Sequence, residues 1–292
     1  MKNENAEKNE NADTLRQMVR GRYTQVVTGT GCGCTPHAAG GCCGSNFDSI
    51  EQVNRIMGYS DKELGSVVEG ANLGLGCGNP TAIGELQPGD VVLDLGSGAG
   101  FDCFLAAQKV GEKGCVIGVD MTPEMLSKAR GNAAKMGITN VEFRLGEIEH
   151  LPVADNSVDI IISNCVINLS PEKQQVFRDA CRVLKPGGRL FVSDVVATAE
   201  MPDSMREQAA LITGCIAGAE HTDRLRYFLE EAGFENVTIE LKAHSDELVS
   251  GWFPGSGAEK YVSSADIRAV KPISITSSTR SRPVPLYNGF VV

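Results

Sequence analysis

The sequence predicts an α/β fold: a mostly parallel, Rossmann-like sheet with helices on both faces. Five short, largely apolar runs are typical of strands that are buried on both faces. Segments with helical spacing lie between these runs, and a repeated strand–helix order produces parallel pairing. The first run leads directly into a glycine-rich turn, DLGSGAGF, before a helix.

Length and charge narrow the class of protein. The 292 residues allow one large domain with a smaller appendage. There are 27 basic and 37 acidic residues, a net charge of −10, and such a surface repels nucleic acid and anionic membranes. No run approaches the roughly 20 apolar residues of a membrane helix, and the polar N-terminus offers no signal peptide. We therefore expect a cytoplasmic protein without a nucleic-acid or membrane partner.

The region before the sheet is predicted to be partly helical. Residues 1–13 are rich in Asn, Glu and Lys and predict a disordered tail. Residues 14–80 form an N-terminal region that begins with a helix over 14–28. A loop with four cysteines and six glycines follows over 29–46. Short helices then lead to a second glycine-rich loop, GANLGLGCGNP, at 70–80.

The sheet is assigned to residues 81–200. Its five predicted strands are VVLDL (91–95), CVIGV (115–119), VEFRL (141–145), VDIIIS (158–163) and RLFVS (189–193). Two helices between them begin with an N-cap residue followed by proline, at Thr122-Pro123 and at Ser170-Pro171.

The C-terminal part is predicted to be smaller and mixed. Residues 201–272 form an α+β region with helices near 203–217 and 222–232 and a strand near 236–241. Residues 273–292 are expected to be a flexible tail.

The first glycine-rich turn predicts a nucleotide-like ligand. Gly96, Gly98 and Gly100 allow a sharp turn and a close approach of ligand to backbone. Asp120 ends the second strand about 20 residues later, where a carboxylate can bind both hydroxyls of a ribose. This pattern leaves two ligand classes, a dinucleotide and S-adenosylmethionine.

Asp94 favours S-adenosylmethionine. Its carboxylate lies two residues before the first glycine, where it would repel a pyrophosphate but suits a sulfonium and an ammonium group. GEIEHLP, after the third strand, would place Glu147 and Ile148 at the edge of the adenine. Met121 and Asn164 complete the predicted cofactor-binding set. With LKPGGRLFVSD before the fifth strand, these motifs resemble those of the class I S-adenosylmethionine-dependent methyltransferases in order and spacing.

The ten cysteines fall into two groups. Cys103, Cys115 and Cys181 lie in predicted helices or strands among apolar neighbours and are expected to pack as small hydrophobic residues. The other seven lie in loops or near the strand ends: Cys32, Cys34, Cys42, Cys43, Cys77, Cys165 and Cys215. We expect Cys32 and Cys34 to be incidental loop thiols or adventitious metal ligands.

Cys165 indicates the acceptor. It follows the fourth strand, at the end of the sheet where ligands bind, so it should face the methyl donor. Asn164 and Cys165 stand where an oxygen- or nitrogen-directed methyltransferase often has a general base, which points to a soft acceptor. Thiolates select soft ions, and trivalent arsenic on three sulfurs keeps a nucleophilic lone pair. Methylation oxidises arsenic formally to the pentavalent state, so two thiols that close to a disulfide would return two electrons.

A set of longer motifs supports this interpretation. NLGLGCGNP, DLGSGAGFDCFLAA, GVDMTPEML, EFRLGEIEHLPV, ISNCVINLSP and GCIAGA closely resemble those of arsenite S-adenosylmethionine methyltransferases, over about residues 70–270. The resemblance implies that Cys165 and Cys215 bind the arsenical and that Cys77 joins them as ligand or reductant. It also implies that Cys42 or Cys43 completes a redox relay. We expect trivalent arsenicals as substrates, arsenic detoxification as the role, and a thiol such as thioredoxin or glutathione as reductant.

Two other functions are compatible with parts of the sequence. One is a class I methyltransferase of a small organic acceptor, such as a quinone or sterol, with structural cysteines. The placement of cysteines in glycine-rich loops argues against it. The other is a zinc-binding or metal-sensing protein, which the absence of paired C-x-x-C motifs disfavours.

Overall fold

The computed structural model describes residues 2–29, 50–206, 208, 211–212 and 214–273. Within these ranges, no helix combines the length and the apolar character needed to cross a membrane. The predictions for Cys32, Cys34, Cys42, Cys43 and the tail after residue 273 lie outside the described residues.

Seven strands form one sheet in the order β3-β2-β1-β4-β5-β7-β6. They are β1 (Val91–Leu95), β2 (Cys115–Asp120), β3 (Val141–Leu145), β4 (Val158–Asn164), β5 (Leu184–Ala197), β6 (Glu235–Leu241) and β7 (Val262–Val270). The first five pair in parallel, while β7 runs antiparallel to both β5 and β6. The predicted α/β class with a mostly parallel sheet is confirmed.

The last strand in sequence, β7, was not predicted. It pairs with β5 over nine residues, so the region assigned to 201–272 continues the sheet of the region before it. VSSADIRAV mixes serine and charged residues with apolar ones and therefore lacks the continuous apolar character of the central strands.

The helices connect and cover the strands. They are α1 (Lys2–Thr28), α2 (Ile50–Ile56), α3 (Asp61–Gly65), α4 (Pro80–Ile83), α5 (Phe101–Val110), α6 (Pro123–Met136), α7 (Lys173–Val183), α8 (Asp203–Arg206), α9 (Thr222–Glu231) and α10 (Ser245–Trp252). Two 3₁₀ turns occupy Ile167–Leu169 and Ala258–Lys260. Thr122 and Pro123 begin α6 as predicted.

The predicted start of α7 is wrong by two residues. Ser170 ends the preceding 3₁₀ turn, and the helix is capped by Glu172. The hydroxyl of Ser170 nevertheless accepts a hydrogen bond from the Glu172 amide at 3.0 Å. A serine oxygen bonded two residues ahead forms a turn, which delays the helix.

The N-terminal segment also differs from the prediction. Residues 2–13, expected to be disordered, form the first turns of α1. Glu, Lys and Ala, which are good helix formers, make up seven of these twelve residues, and a local side-chain bond continues the helix into residues 14–28. Gln17 donates to the Asp13 carboxylate at 2.7 Å, four residues earlier.

Helices cover both faces of the sheet. Val92 on β1 packs with α5 and α6, whereas its neighbour Leu93 packs with α7 and α9. Because successive strand side chains point to opposite faces, these are two separate cores. A third apolar cluster joins α1, α2, α10 and three cysteines, Cys77, Cys165 and Cys215.

Candidate active site

A cleft lies at the carboxyl ends of β1, β2 and β4. Parallel sheets bind ligands at this end. Seven of the nine predicted cofactor-binding residues line the cleft, namely Asp94, Gly96, Gly98, Asp120, Met121, Ile148 and Asn164. Cys165 lines the same cleft, so the predicted donor and acceptor positions share one space.

The glycine-rich turn is held in place by Asp120. The carboxylate accepts hydrogen bonds from the Gly98 amide at 3.0 Å and from the Thr122 amide at 2.8 Å. Gly96 has a φ of 70°, and a Cβ there would lie 2.5 Å from the side chain of Val166. Only glycine therefore fits the turn at residue 96.

Chemically, the cleft fits S-adenosylmethionine. The Ser97 hydroxyl is buried without a hydrogen-bond partner among the described residues, so a polar group is available for a ligand. Asp120 offers a carboxylate suited to ribose hydroxyls. Burial, followed by the nearby Asp102 carboxylate, raises the pKa of Asp94 well above its ordinary value. A buried acidic pair favours a cationic ligand.

Two predicted cofactor residues lie elsewhere. Gly100 does not line the cleft; it begins α5. Glu147 faces α1, with its carboxylate 3.5 Å from the Arg16 Nε and 3.7 Å from the Arg20 guanidinium. Glu149 lines the cleft in its place. The strand pattern predicts that the loop after β3 reaches the cleft, as Ile148 and Glu149 do. It gives no information about α1, whose Arg16 and Arg20 lie beside Glu147.

Asn164 connects the cleft to the loop that carries Cys77. Its Oδ1 accepts from the Cys77 amide at 2.9 Å, and its Nδ2 donates to the Gly78 carbonyl at 2.8 Å. The amide also donates to the Tyr59 hydroxyl oxygen at 3.0 Å and to Asp102 at 3.1 Å. The Asn164 amide group is thus occupied by the protein, and it fixes the loop against β4.

Sequence reasoning missed Tyr59 and Asp102. The Tyr59 hydroxyl donates to the Asp102 carboxylate at 2.6 Å, and both side chains line the cleft. Burial raises the pKa of Asp102 to about 6, against the hydrogen bonds from Tyr59 and Asn164. Asp102 lies in the motif DLGSGAGFDCFLAA. The sequence alone does not distinguish it from an acidic residue on the exposed surface of a helix.

Cys77, Cys165 and Cys215 come together beside the cleft, and all three are buried. The Cys215 thiol donates to the Cys165 carbonyl oxygen at 2.7 Å, and the Cys77 thiol donates to the Ser193 carbonyl oxygen at 3.2 Å. The sulfurs of Cys77 and Cys165 and a carboxylate oxygen of Asp194 lie within 4.8 Å of one another. These contacts bring together cysteines from three distant parts of the chain.

The environment keeps these thiols protonated. Burial raises the pKa of Cys77 well above its ordinary value. The hydrogen bond with Cys215 is the largest cause of a similar rise for Cys165. A hydrogen bond with Cys165 lowers the pKa of Cys215, but burial and the Asp194 carboxylate leave it raised. An apolar pocket disfavours charged thiolates, so the three sulfurs are present there as neutral thiols.

Asp194 is fixed next to the thiols. Its carboxylate accepts from the Ile167 amide at 3.0 Å, the Val195 amide at 2.8 Å and the Asn168 side chain at 3.0 Å. The Asn168 amide also donates to the Cys215 carbonyl at 3.1 Å. Asn168 therefore joins the loop after β4 to the loop that carries Cys215.

Comparison with known proteins shows which family this chain belongs to. Residues 86–233 match the model of a methyltransferase domain. An arsenite methyltransferase from Halobacterium salinarum is 54% identical over 265 residues, which is 89% of this chain and 67% of that protein. The chain belongs to the arsenite methyltransferase family.

More distant members of the family are also similar. The human arsenite methyltransferase is 44% identical over 152 residues, which is 49% of this chain and 40% of that protein. A crystal structure of an arsenic(III) S-adenosylmethionine methyltransferase from Chlamydomonas reinhardtii matches with a TM-score of 0.55 and 33% identity, over 76% of this chain and 73% of that one. This chain thus spans about two thirds of the Halobacterium protein and less than half of the human one.

Proposed function

We propose that the protein transfers a methyl group from S-adenosylmethionine to trivalent arsenic held by Cys77, Cys165 and Cys215. The observation that carries this proposal is the position of Cys165. It lines the donor cleft, its sulfur lies within 4.8 Å of the Cys77 sulfur, and its carbonyl oxygen accepts the hydrogen bond from the Cys215 thiol. No ordinary packing role requires three buried thiols at the open end of a parallel sheet.

The donor is held by the glycine-rich turn and by acidic side chains. When bound, S-adenosylmethionine supplies an electrophilic methyl group on a positively charged sulfur. Asp120 offers its carboxylate to the ribose, and Ser97 offers a hydroxyl that lacks a partner among the described residues. Asp94 and Asp102 form a buried pair of carboxyl groups, and a bound cation would favour their ionised form. Met121 and Ile148 provide apolar walls.

The arsenical binds by exchange of its hydroxyl groups for thiols. Arsenous acid carries three hydroxyls, and three protonated thiols displace them as three molecules of water, so no net proton is released. Thiols with raised pKa values suit this condensation. Arsenic on three sulfurs keeps one lone pair, and the sulfur of Cys165 brings that lone pair to the wall of the donor cleft.

Turnover requires a source of electrons. Attack by the lone pair would form a carbon–arsenic bond while the carbon–sulfur bond of the donor breaks and S-adenosylhomocysteine leaves with that electron pair, so arsenic is formally oxidised by two electrons. Two thiolates that close to a disulfide return those electrons and restore the trivalent state. We assign this step to Cys77 together with Cys42 or Cys43, and we expect an external thiol, such as thioredoxin or glutathione, to reopen the disulfide. A reducing cytoplasm would supply that thiol.

Arsenic speciation tests the proposal. Purified protein is incubated with arsenite, S-adenosylmethionine and a thiol reductant, and the arsenicals are then separated and identified. We expect methylated arsenic that depends on all three reactants. Parallel incubations with a quinone acceptor test the organic alternative, and methylation of the quinone with unchanged arsenite would overturn the proposal.

A further inference from the structure

The N-terminal helix α1 lies across the donor cleft, outside the matched methyltransferase domain, which begins at residue 86. Three of its side chains, Arg16, Val19 and Tyr23, line the cleft together with Asp120 and residues of the glycine-rich turn. Spacings of three and four residues place side chains on one face of a helix. One face of α1 therefore forms a wall of the site.

Ion pairs hold α1 in this position. The Arg16 guanidinium donates to Glu149 at 3.1 Å and to Glu172 at 2.7 Å. Glu149 is buried, and Arg16 keeps only 14% of its side chain exposed. Near the other end of the helix, Thr24 donates to the Glu124 carboxylate at 3.1 Å. Charge pairs with one buried partner are stronger than ordinary surface pairs, so this contact fixes the helix.

Tyr23 reaches both halves of the site. It lines the donor cleft, and its ring packs on the apolar cluster that contains Cys165 and Cys215. The charged and titratable groups that influence its hydroxyl are the same two thiols together with Asp120 and Asp194. Burial raises the pKa of Tyr23 well above its ordinary value, so the hydroxyl remains protonated.

We propose that α1 is part of the active site, with Tyr23 covering the junction between the donor cleft and the three thiols. Arg16 is the positioning residue that keeps Tyr23 there. This inference rests on the proposed function, because the junction has a role only if a methyl group crosses it.

At this position Tyr23 has two physical effects, one on the donor and one on water. An aromatic ring attracts a cationic ligand such as a sulfonium, so it adds affinity for the charged donor over the uncharged product. A bulky ring also excludes water from the arsenic–sulfur bonds, which form by loss of water and are reversed by its return. Alanine would remove both effects, whereas phenylalanine keeps the ring and removes only the hydroxyl.

The test compares Tyr23→Ala, Tyr23→Phe and a control on the same helix, Gln25→Ala, whose side chain is exposed. Calorimetry measures the affinity for S-adenosylmethionine and for S-adenosylhomocysteine in each variant. Iodoacetamide measures how fast Cys165 and Cys215 are alkylated in the protein without ligands. Methylation rates are measured in the same preparations.

We expect Tyr23→Ala to bind S-adenosylmethionine about tenfold more weakly, with a smaller loss for the uncharged product. Alkylation of the two cysteines should become faster by a similar factor. Tyr23→Phe should retain most of the donor affinity and the slow alkylation, and Gln25→Ala should match the original protein. Unchanged donor affinity together with unchanged alkylation in Tyr23→Ala would overturn the inference. That result would leave the proposed function intact if the original protein methylates arsenite normally.

Arg16 is tested through its charge. Arg16→Gln should reproduce the effects of Tyr23→Ala on donor affinity and alkylation, and Arg16→Lys should restore a substantial part of both, because a lysine can still pair with Glu149. Equal loss in the Lys and Gln variants would contradict the positioning role. If the original protein does not methylate arsenite, the proposed function fails. The alkylation data then still decide whether Tyr23 covers the thiols.

Discussion

The thiol of Cys215 donates a hydrogen bond to the backbone carbonyl oxygen of Cys165 at 2.7 Å. Both residues have left-handed backbones, with φ of 66° at Cys215 and 58° at Cys165. This conformation costs a residue other than glycine about 1–3 kcal/mol and persists where the surroundings enforce it. The two loops thus hold their sulfurs in place before the substrate arrives, which reduces the entropy lost on binding.

The first prediction concerns Cys165 and Cys215 as the proposed arsenic ligands. Cys165→Ser and Cys215→Ser should each abolish methylation of both arsenite and monomethylated arsenite, because a hard hydroxyl oxygen does not replace a soft sulfur. Rates for both substrates, measured by arsenic speciation, provide the test. Normal turnover in Cys165→Ser would refute the central assignment.

Three cysteines serve as controls for that experiment. Cys103→Ser, Cys115→Ser and Cys181→Ser should retain methylation with somewhat lower stability. Cys103 donates its thiol to the Asp94 carboxylate at 3.1 Å, and a serine hydroxyl can make the same bond. Loss of activity in Cys103→Ser without loss of donor affinity would show a role beyond packing.

The second prediction concerns the donor. Asp120→Ala should weaken S-adenosylmethionine binding by about 1–3 kcal/mol and leave arsenite affinity nearly unchanged. Because Asp120 also holds the amides of Gly98 and Thr122, Asp120→Asn is a useful partner variant that keeps one acceptor oxygen. Calorimetry gives both affinities. Donor binding at the original strength in Asp120→Ala would remove the ribose assignment.

The third prediction concerns stability against pH. Burial raises the pKa of Asp194 to about 6 from an ordinary 3.8. Between these two values the folded protein binds more protons than the unfolded chain, so this residue's contribution to stability is present at low pH and declines as pH rises towards 6. The Asp194→Asn variant has no such pH-dependent contribution to stability.

Urea denaturation at several pH values between 4 and 7 measures the effect. The free energy of unfolding of the original protein minus that of Asp194→Asn should fall by about 2 kcal/mol across this interval. Asp203→Asn, at an exposed position, controls for removal of a charge. A difference that stays constant with pH would contradict the assigned burial effect.

The sequence predicted the central sheet well because its strands are buried on both faces. Continuous apolar runs such as those of β1 and β4 leave little alternative. The same reasoning failed for β7, whose Ser263 and Ser264 are buried. Ser264 donates to the Cys77 carbonyl oxygen at 2.8 Å, so a tertiary contact satisfies this buried polar side chain.

The site was predictable where a motif carries its own chemistry. The glycine-rich turn, Asp120 and the three cysteines that the structure brings together, Cys77, Cys165 and Cys215, belong to that class. Arg16, Tyr23 and Tyr59 do not, because their importance comes from helices that meet the cleft across long separations in sequence. Glu147 illustrates the same limit, since its partner Arg16 is distant in the chain.

The last prediction separates arsenic ligand from reductant by counting coordination positions. Arsenite has three exchangeable positions, whereas the monomethylated species has lost one to carbon and accepts two thiols. If Cys165 and Cys215 form the minimal pair, the second substrate needs no third protein ligand. Cys77→Ser should therefore lose methylation of arsenite and keep partial methylation of monomethylarsonous acid in excess reductant.

The double variant Cys42→Ser, Cys43→Ser should also lose methylation of arsenite and keep partial methylation of monomethylarsonous acid. An external thiol can replace a reductant but not a ligand that positions the lone pair, so the thiol concentration separates the two roles. Both substrates are assayed side by side in each variant, at low and at high thiol concentration. Recovery with added thiol in the double variant but not in Cys77→Ser would identify Cys77 as the third ligand. Equal loss on both substrates at every thiol concentration would mean that these cysteines bind every substrate or are needed for folding, and the division of roles would be wrong.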